Sequence, residues 1–161
     1  MQSPAKTPAG GVAERQYWMG ALAAAPLGDL LTAWKGWSPK PEVQSIRGPE
    51  AGLVMVRSRI DAGGARFNLG EATVTRATLR LSGMPLTSDV IGSSYILGTN
   101  LEHARLAAIF DGLLADPNLR DRVLAEVVAP LELARAERDK ARQADARSTL
   151  VDFFTVSREH E

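Results

Sequence analysis

Five arginines are the side chains best equipped for chemistry in this chain. Arg57, Arg59, Arg66, Arg76 and Arg80 all fall between Gly52 and Leu81, a stretch whose Val, Ile, Phe, Leu and Thr content reads as two long strands. Guanidinium groups gathered on one surface could hold phosphate-like oxygens in bidentate pairs. The competing reading is a solvated sheet face whose arginines are answered by Asp61 and other acids. His103 is the other polar group of interest. It stands one turn before Ala107 and Phe110, near a helix start where free amides could meet an anion, or where the ring is simply packed. No nucleophile elbow, phosphate loop, nucleotide fingerprint or metal-ligand pair occurs, and the carboxylates form no obvious catalytic pair. With no cysteine and only His103 and His160 as imidazoles, thiolate chemistry is excluded and no metal site is expected.

The arginines must be positioned by a hairpin. Ala62-Gly63-Gly64-Ala65 separates the two apolar runs, and a two-residue turn needs the positive φ that glycine supplies. A turn centred on Gly63-Gly64 pairs Asp61 with Arg66 and Ile60 with Phe67. Alternation then sets Val54, Val56, Phe67 and Leu69 on the core face with Thr73, Thr75, Ala77, Leu79 and Leu81. The five arginines share the opposite face with Leu53 and Met55. Glu42 to Arg47 reads as a short first strand turning through Gly48-Pro49-Glu50, and Val90 to Leu97 as a fourth strand. The expected fold class is α+β: an antiparallel four-stranded meander with helices packed on one face, an extended C-terminal helix and a docking tail.

Residues 1–12, rich in Pro, Gly, Ser and Ala, are expected to be a disordered N-terminal arm, and residues 13–130 an α+β domain. Tyr17 or Trp18 shares a helical stripe with Ala21, Leu22 and Ala25, and Leu27, Leu30, Leu31 and Trp34 keep the same spacing after Pro26. Trp18, Trp34 and Trp37 are read as core or edge aromatics. Thr99 with Glu102 fits a capping box before Leu106, Ile109, Phe110 and Leu113, and Asp116-Pro117 launches a further helix. Residues 131–161 comprise a charged helix and an apolar C-terminal segment. In that segment Val151, Asp152, Phe153 and Phe154 are interface candidates, because two exposed phenylalanines would be costly.

At 161 residues, one core can form without covalent staples. Nineteen basic and nineteen acidic residues balance, which argues against a generic nucleic-acid or anionic-membrane binder. No apolar run is long enough for a membrane span and no signal-peptide core is present, so the expected location is cytoplasmic.

The run Ala51-Gly52-Leu53-Val54-Met55-Val56-Arg57-Ser58-Arg59, followed by Phe67-Asn68-Leu69-Gly70-Glu71-Ala72-Thr73-Val74-Thr75-Arg76, resembles the G-subunit family (PhnG) of the bacterial phosphonate carbon-phosphorus lyase system. Arg15-Gln16-Tyr17-Trp18-Met19, Leu97-Gly98 with His103-Ala104, and Val151-Asp152-Phe153-Phe154-Thr155 extend the resemblance over nearly the whole chain after its N-terminal arm. Thr99, Leu150 and Val156 to Arg158 depart from the family's usual residues. The resemblance implies an accessory, non-catalytic subunit of the core complex. The subunit would be required, with the H, I and L subunits, for making α-D-ribose 1-methylphosphonate 5-triphosphate and adenine from MgATP and methylphosphonate in phosphonate catabolism. That reaction is a transferase one, with the active site on another subunit. The implied partners are the H, I and J subunits, two copies of each. No cofactor is implied for this subunit; MgATP is a substrate of the complex, and the iron-sulfur cluster and S-adenosylmethionine belong to a partner. Two alternatives stand beside this: the arginine face binds phosphonate or triphosphate directly, or the chain is a stand-alone ligand-binding protein.

Overall fold

The structure, a computed structural model, describes residues 11–60 and 63–148. Helix α1 covers Gly11–Ala24 and α2 covers Leu27–Gly36. Pro26 lies between them, where its missing N–H breaks the helical ladder. Gly11 and Val12, expected in the N-terminal arm, form the first turn of α1. Strands β1 (Glu42–Ser58), β2 (Phe67–Ser82) and β3 (Val90–Leu97) follow, then α3 (Leu101–Ala115), α4 (Pro117–Val123), a π-helical turn (Leu124–Val128) and α5 (Ala129–Ser148).

The α+β class holds, but the sheet has three antiparallel strands in the order β1-β2-β3, not four. Glu42 to Arg47 is the opening of β1, with Glu42 opposite Ser82. Gly48-Pro49 is absorbed as an irregularity within that strand rather than turning it back, since a bulge can take up extra residues while the partner strand runs on. Gly48 has φ +67°, and a side chain there would come within 2.7 Å of the Arg76 carbonyl oxygen.

The hairpin register also differs from the expected one. Phe67 faces Ser58 instead of Ile60, and further along Val56 faces Gly70, Met55 faces Glu71 and Val54 faces Ala72. The slip is two residues at Phe67 and one along the middle of β1, where it exchanges the faces. Leu53 and Met55 now share the helix-covered side with Thr73, whereas Val54 and Val56 lie on the outer side with Val74 and Arg76.

The core lies between the base of the sheet and α3. Leu79, Leu81 and Ile96 meet Leu106, Ile109, Phe110 and Leu113, and Trp18, Leu22, Leu30 and Val123 close the sides. Each large buried apolar side chain contributes about 1.5–3 kcal/mol. Trp18 and Trp37 are buried, and Trp34 meets Phe110 edge-on at 6.1 Å, as core aromatics should. Gly92 sets the spacing between layers: a Cβ there would come within 1.9 Å of the Ala108 carbonyl oxygen, so strand and helix approach backbone to backbone. At the end of β3, the Gly98 N–H donates to Thr73 O at 2.8 Å while its carbonyl accepts from Thr75 Oγ1 at 2.7 Å. That turn occupies Gly98-Thr99, so the cap of α3 moves one residue past the expected Thr99, to Asn100, whose side chain accepts from the His103 amide at 3.0 Å.

Candidate functional site

Strand β3 pairs with β2 only from Val74 to Leu81, and the helices cover only the base of the sheet. Beyond Thr73, β1 and β2 continue together as a two-stranded ribbon, about 20 Å long from Gly52 to Ser58. The expectation that Val54, Val56, Phe67 and Leu69 are core is therefore overturned. Phe67 is 41% exposed and Leu69 65%, and on the same ribbon Leu53 is 64% and Met55 50% exposed. Among the described residues no layer covers either side of this arm. A bare two-stranded ribbon is marginal in water, and apolar groups collected on one are the mark of a binding surface.

The register does not gather the five arginines. Arg76 and Arg80 lie on the outer face at the base of β2, opposite Tyr95 and Ile91 of β3. Arg57 sits far along the ribbon opposite Asn68, and Arg59 and Arg66 lie beyond the strands at its tip. Ten residues of extended β2 separate Arg66 from Arg76, about 33 Å. Arg76 is also engaged: its Nε and that of Arg47 both donate to Glu50 Oε1 at 2.8 Å. Hydrogen bonds from Arg47 and then Arg76 hold the Glu50 carboxyl below its usual range, and the Glu50 bond raises Arg76 in turn. Gly52, Leu53, Val54, Val74, Arg76 and Tyr95 line a shallow groove of about 100 Å³ where β3 ends and the arm begins.

His103 is buried, with Nε2 2.9 Å from the Leu22 carbonyl oxygen, so its ring ties α3 to α1 rather than opening toward solvent. The interface candidates Val151, Asp152, Phe153 and Phe154 lie outside the described residues. Among the described residues no group of three or more His, Cys, Asp or Glu is placed to hold a metal, and no helix is long and apolar enough to cross a membrane.

Two buried acids tie the elements together, Asp111 unforeseen and Asp116 expected only as a helix cap. Asp111 accepts from Arg15 Nε at 3.1 Å and Nη2 at 2.7 Å, from Trp18 Nε1 at 2.9 Å and from the Ser93 amide at 2.9 Å. It thereby joins α1, β3 and α3. Asp116 accepts from the amide and hydroxyl of Thr87 and the amide of Asn118, each at 2.9 Å. The available signal for Asp111 was a lone acid inside the apolar run Ile109-Phe110-Asp111-Gly112-Leu113. For the arm, it was the unbroken apolar run Leu53-Val54-Met55-Val56, which suits a strand covered on both faces better than on one.

A three-stranded antiparallel sheet with helices on one side and an apolar ribbon left uncovered defines an α+β domain with surface to spare for binding. Residues 13–159 match the family of the phosphonate metabolism protein PhnG, and the chain belongs to that family. It is similar to the alpha-D-ribose 1-methylphosphonate 5-triphosphate synthase subunit PhnG of Rhizobium meliloti (strain 1021). The two are 47% identical over 149 residues, covering 92% of this chain and 91% of the relative.

Proposed function

We propose that the chain is an accessory, non-catalytic subunit of the complex that converts MgATP and methylphosphonate to α-D-ribose 1-methylphosphonate 5-triphosphate and adenine. The observation that carries this reading is the 47% identity to a subunit of that synthase along nearly the full length of both chains. In this reading the transferase active site lies on another subunit, and the chain assembles in the cytoplasm with the H, I and J subunits, two copies of each. The chain holds no cofactor of its own; the iron-sulfur cluster and S-adenosylmethionine belong to a partner. The segment Val151 to Phe154 is a contact with those partners. Engagement of Arg76 by Glu50, and the distance between the two arginine groups, favour this reading over direct binding of phosphonate or triphosphate by an arginine face.

Reconstitution tests it. The other synthase subunits should make the ribose phosphonate only when this chain is added, and the double variant Arg76→Ala, Arg80→Ala should assemble and support synthesis within about threefold of wild type. Full synthesis without the chain would reject a required subunit. A double variant that assembles but loses synthesis a hundredfold would establish the arginine reading in its place.

A further inference from the structure

We infer that the arm enters an apolar cleft on a different subunit of the complex and there receives a strand along the free edge of β2; this rests on the subunit reading above. Three features of the arm converge. The first is the edge. The last bond on the β3 side of β2 is Gly98 N–H to Thr73 O, so among the described strands none pairs with β2 from Phe67 to Ala72 on that side. Backbone groups alternate along a strand, so the N–H and C=O of Glu71 point the same way as those of Thr73, toward the vacant position. A partner strand seated there would continue the line of β3 past Leu97.

The second feature is that both faces of the ribbon are apolar. Leu53 and Met55 stand on one side and Val54 and Val56 on the other, with Leu69 further out and well exposed. A flat partner would dry one side only. A cleft dries both, and the groove between Val54, Val74 and Tyr95 gives its rim a place to lock.

The third feature is charge. By sequence residues 57–66 hold three arginines and one aspartate, a net positive charge that suits a cleft with acidic groups at its far end. A second copy of this chain fits poorly. Antiparallel pairing of the same edge about Gly70 sets Arg66 of one arm beside Val74 and Arg76 of the other, and it leaves both apolar faces of the joined ribbons in water.

Hydrogen exchange on the full-length chain, alone and within the assembled synthase, tests this. Amides of residues 67–72 should exchange at least tenfold more slowly in the complex. Val54→Glu and Leu69→Glu, at positions exposed in the isolated chain, should keep its melting temperature while cutting co-purification with the other subunits at least tenfold. Assembly with an unprotected arm, or with these variants retained at the wild-type level, would overturn the inference and leave the subunit reading intact. So would a discrete dimer of the isolated chain with residues 67–72 already protected. Failure of the wild-type chain to assemble at all would overturn the subunit reading, and this inference with it.

Discussion

Asp111 and Asp116 are both almost wholly buried, and each is answered by a different kind of partner. Asp111 meets a guanidinium, and the bond between them is the main reason Arg15 is raised above its ordinary value. Asp116 meets only neutral donors. Burial by itself would push its carboxyl upward, but the amides of Thr87, Asn118 and Leu119 and the Thr87 hydroxyl outweigh it and hold the group below the usual aspartate value. With the folded value depressed, Asp116 stabilises the fold above the unfolded value of about 3.9, and that contribution disappears as pH falls through the folded value. Chemical denaturation from pH 7 to pH 2.5 should therefore show the wild type losing stability more steeply below about pH 4 than Asp116→Asn. At pH 7 the variant, which keeps a capping oxygen but not the charge, should be about 1 kcal/mol less stable.

At the scale of elements, β3 and α3 lie against each other because two glycines face one another across the interface. Gly92 and Gly112 differ in what a methyl group would meet: backbone oxygen and nitrogen for Gly92, the flexible end of Leu81 for Gly112. Gly92→Ala should cost about 3 kcal/mol or more by forcing α3 off the sheet, and Gly112→Ala about 1 kcal/mol, a difference readable in melting temperature. Most of the elements were legible in the sequence, the separate first strand Glu42 to Arg47 excepted. Pro26, Gly36 and Asp116-Pro117 mark real boundaries, and the helical spacing of Trp18, Ala21 and Leu22 and of Leu106, Ile109 and Phe110 identified buried faces. What misled was a hairpin counted outward from its turn. Irregularities between Val56 and Arg57 and around Arg47 to Glu50 shift the pairing, and nothing local in the sequence counts them. Alternation likewise tells which residues share a face but not whether a layer covers it. The length of β3, which decides that, is a property of a distant stretch of chain.

For the whole molecule, stability and attachment are unevenly spread. The body is closed by α1, α2 and α3, while α5 beyond Leu131 touches it thinly, one link being Arg138 with Asp29 at 3.7 Å. A chain ending after Lys140 should melt within about 2 °C of the full-length protein, since exposed surface positions contribute little. If it also fails to join the complex, the lost residues serve assembly rather than folding. The π-helical turn gives this outer helix its heading. Ala129 N–H bonds back to Leu124 O, one residue further than in an α-helix, just before Pro130, which has no N–H to give. One residue more or fewer in a helix swings everything downstream through about 100° around its axis. Leu124–Val128 thus acts as a compass setting for the 20 residues of α5. A single-residue deletion there, harmless to either flanking helix on its own, would point α5 toward a different neighbour.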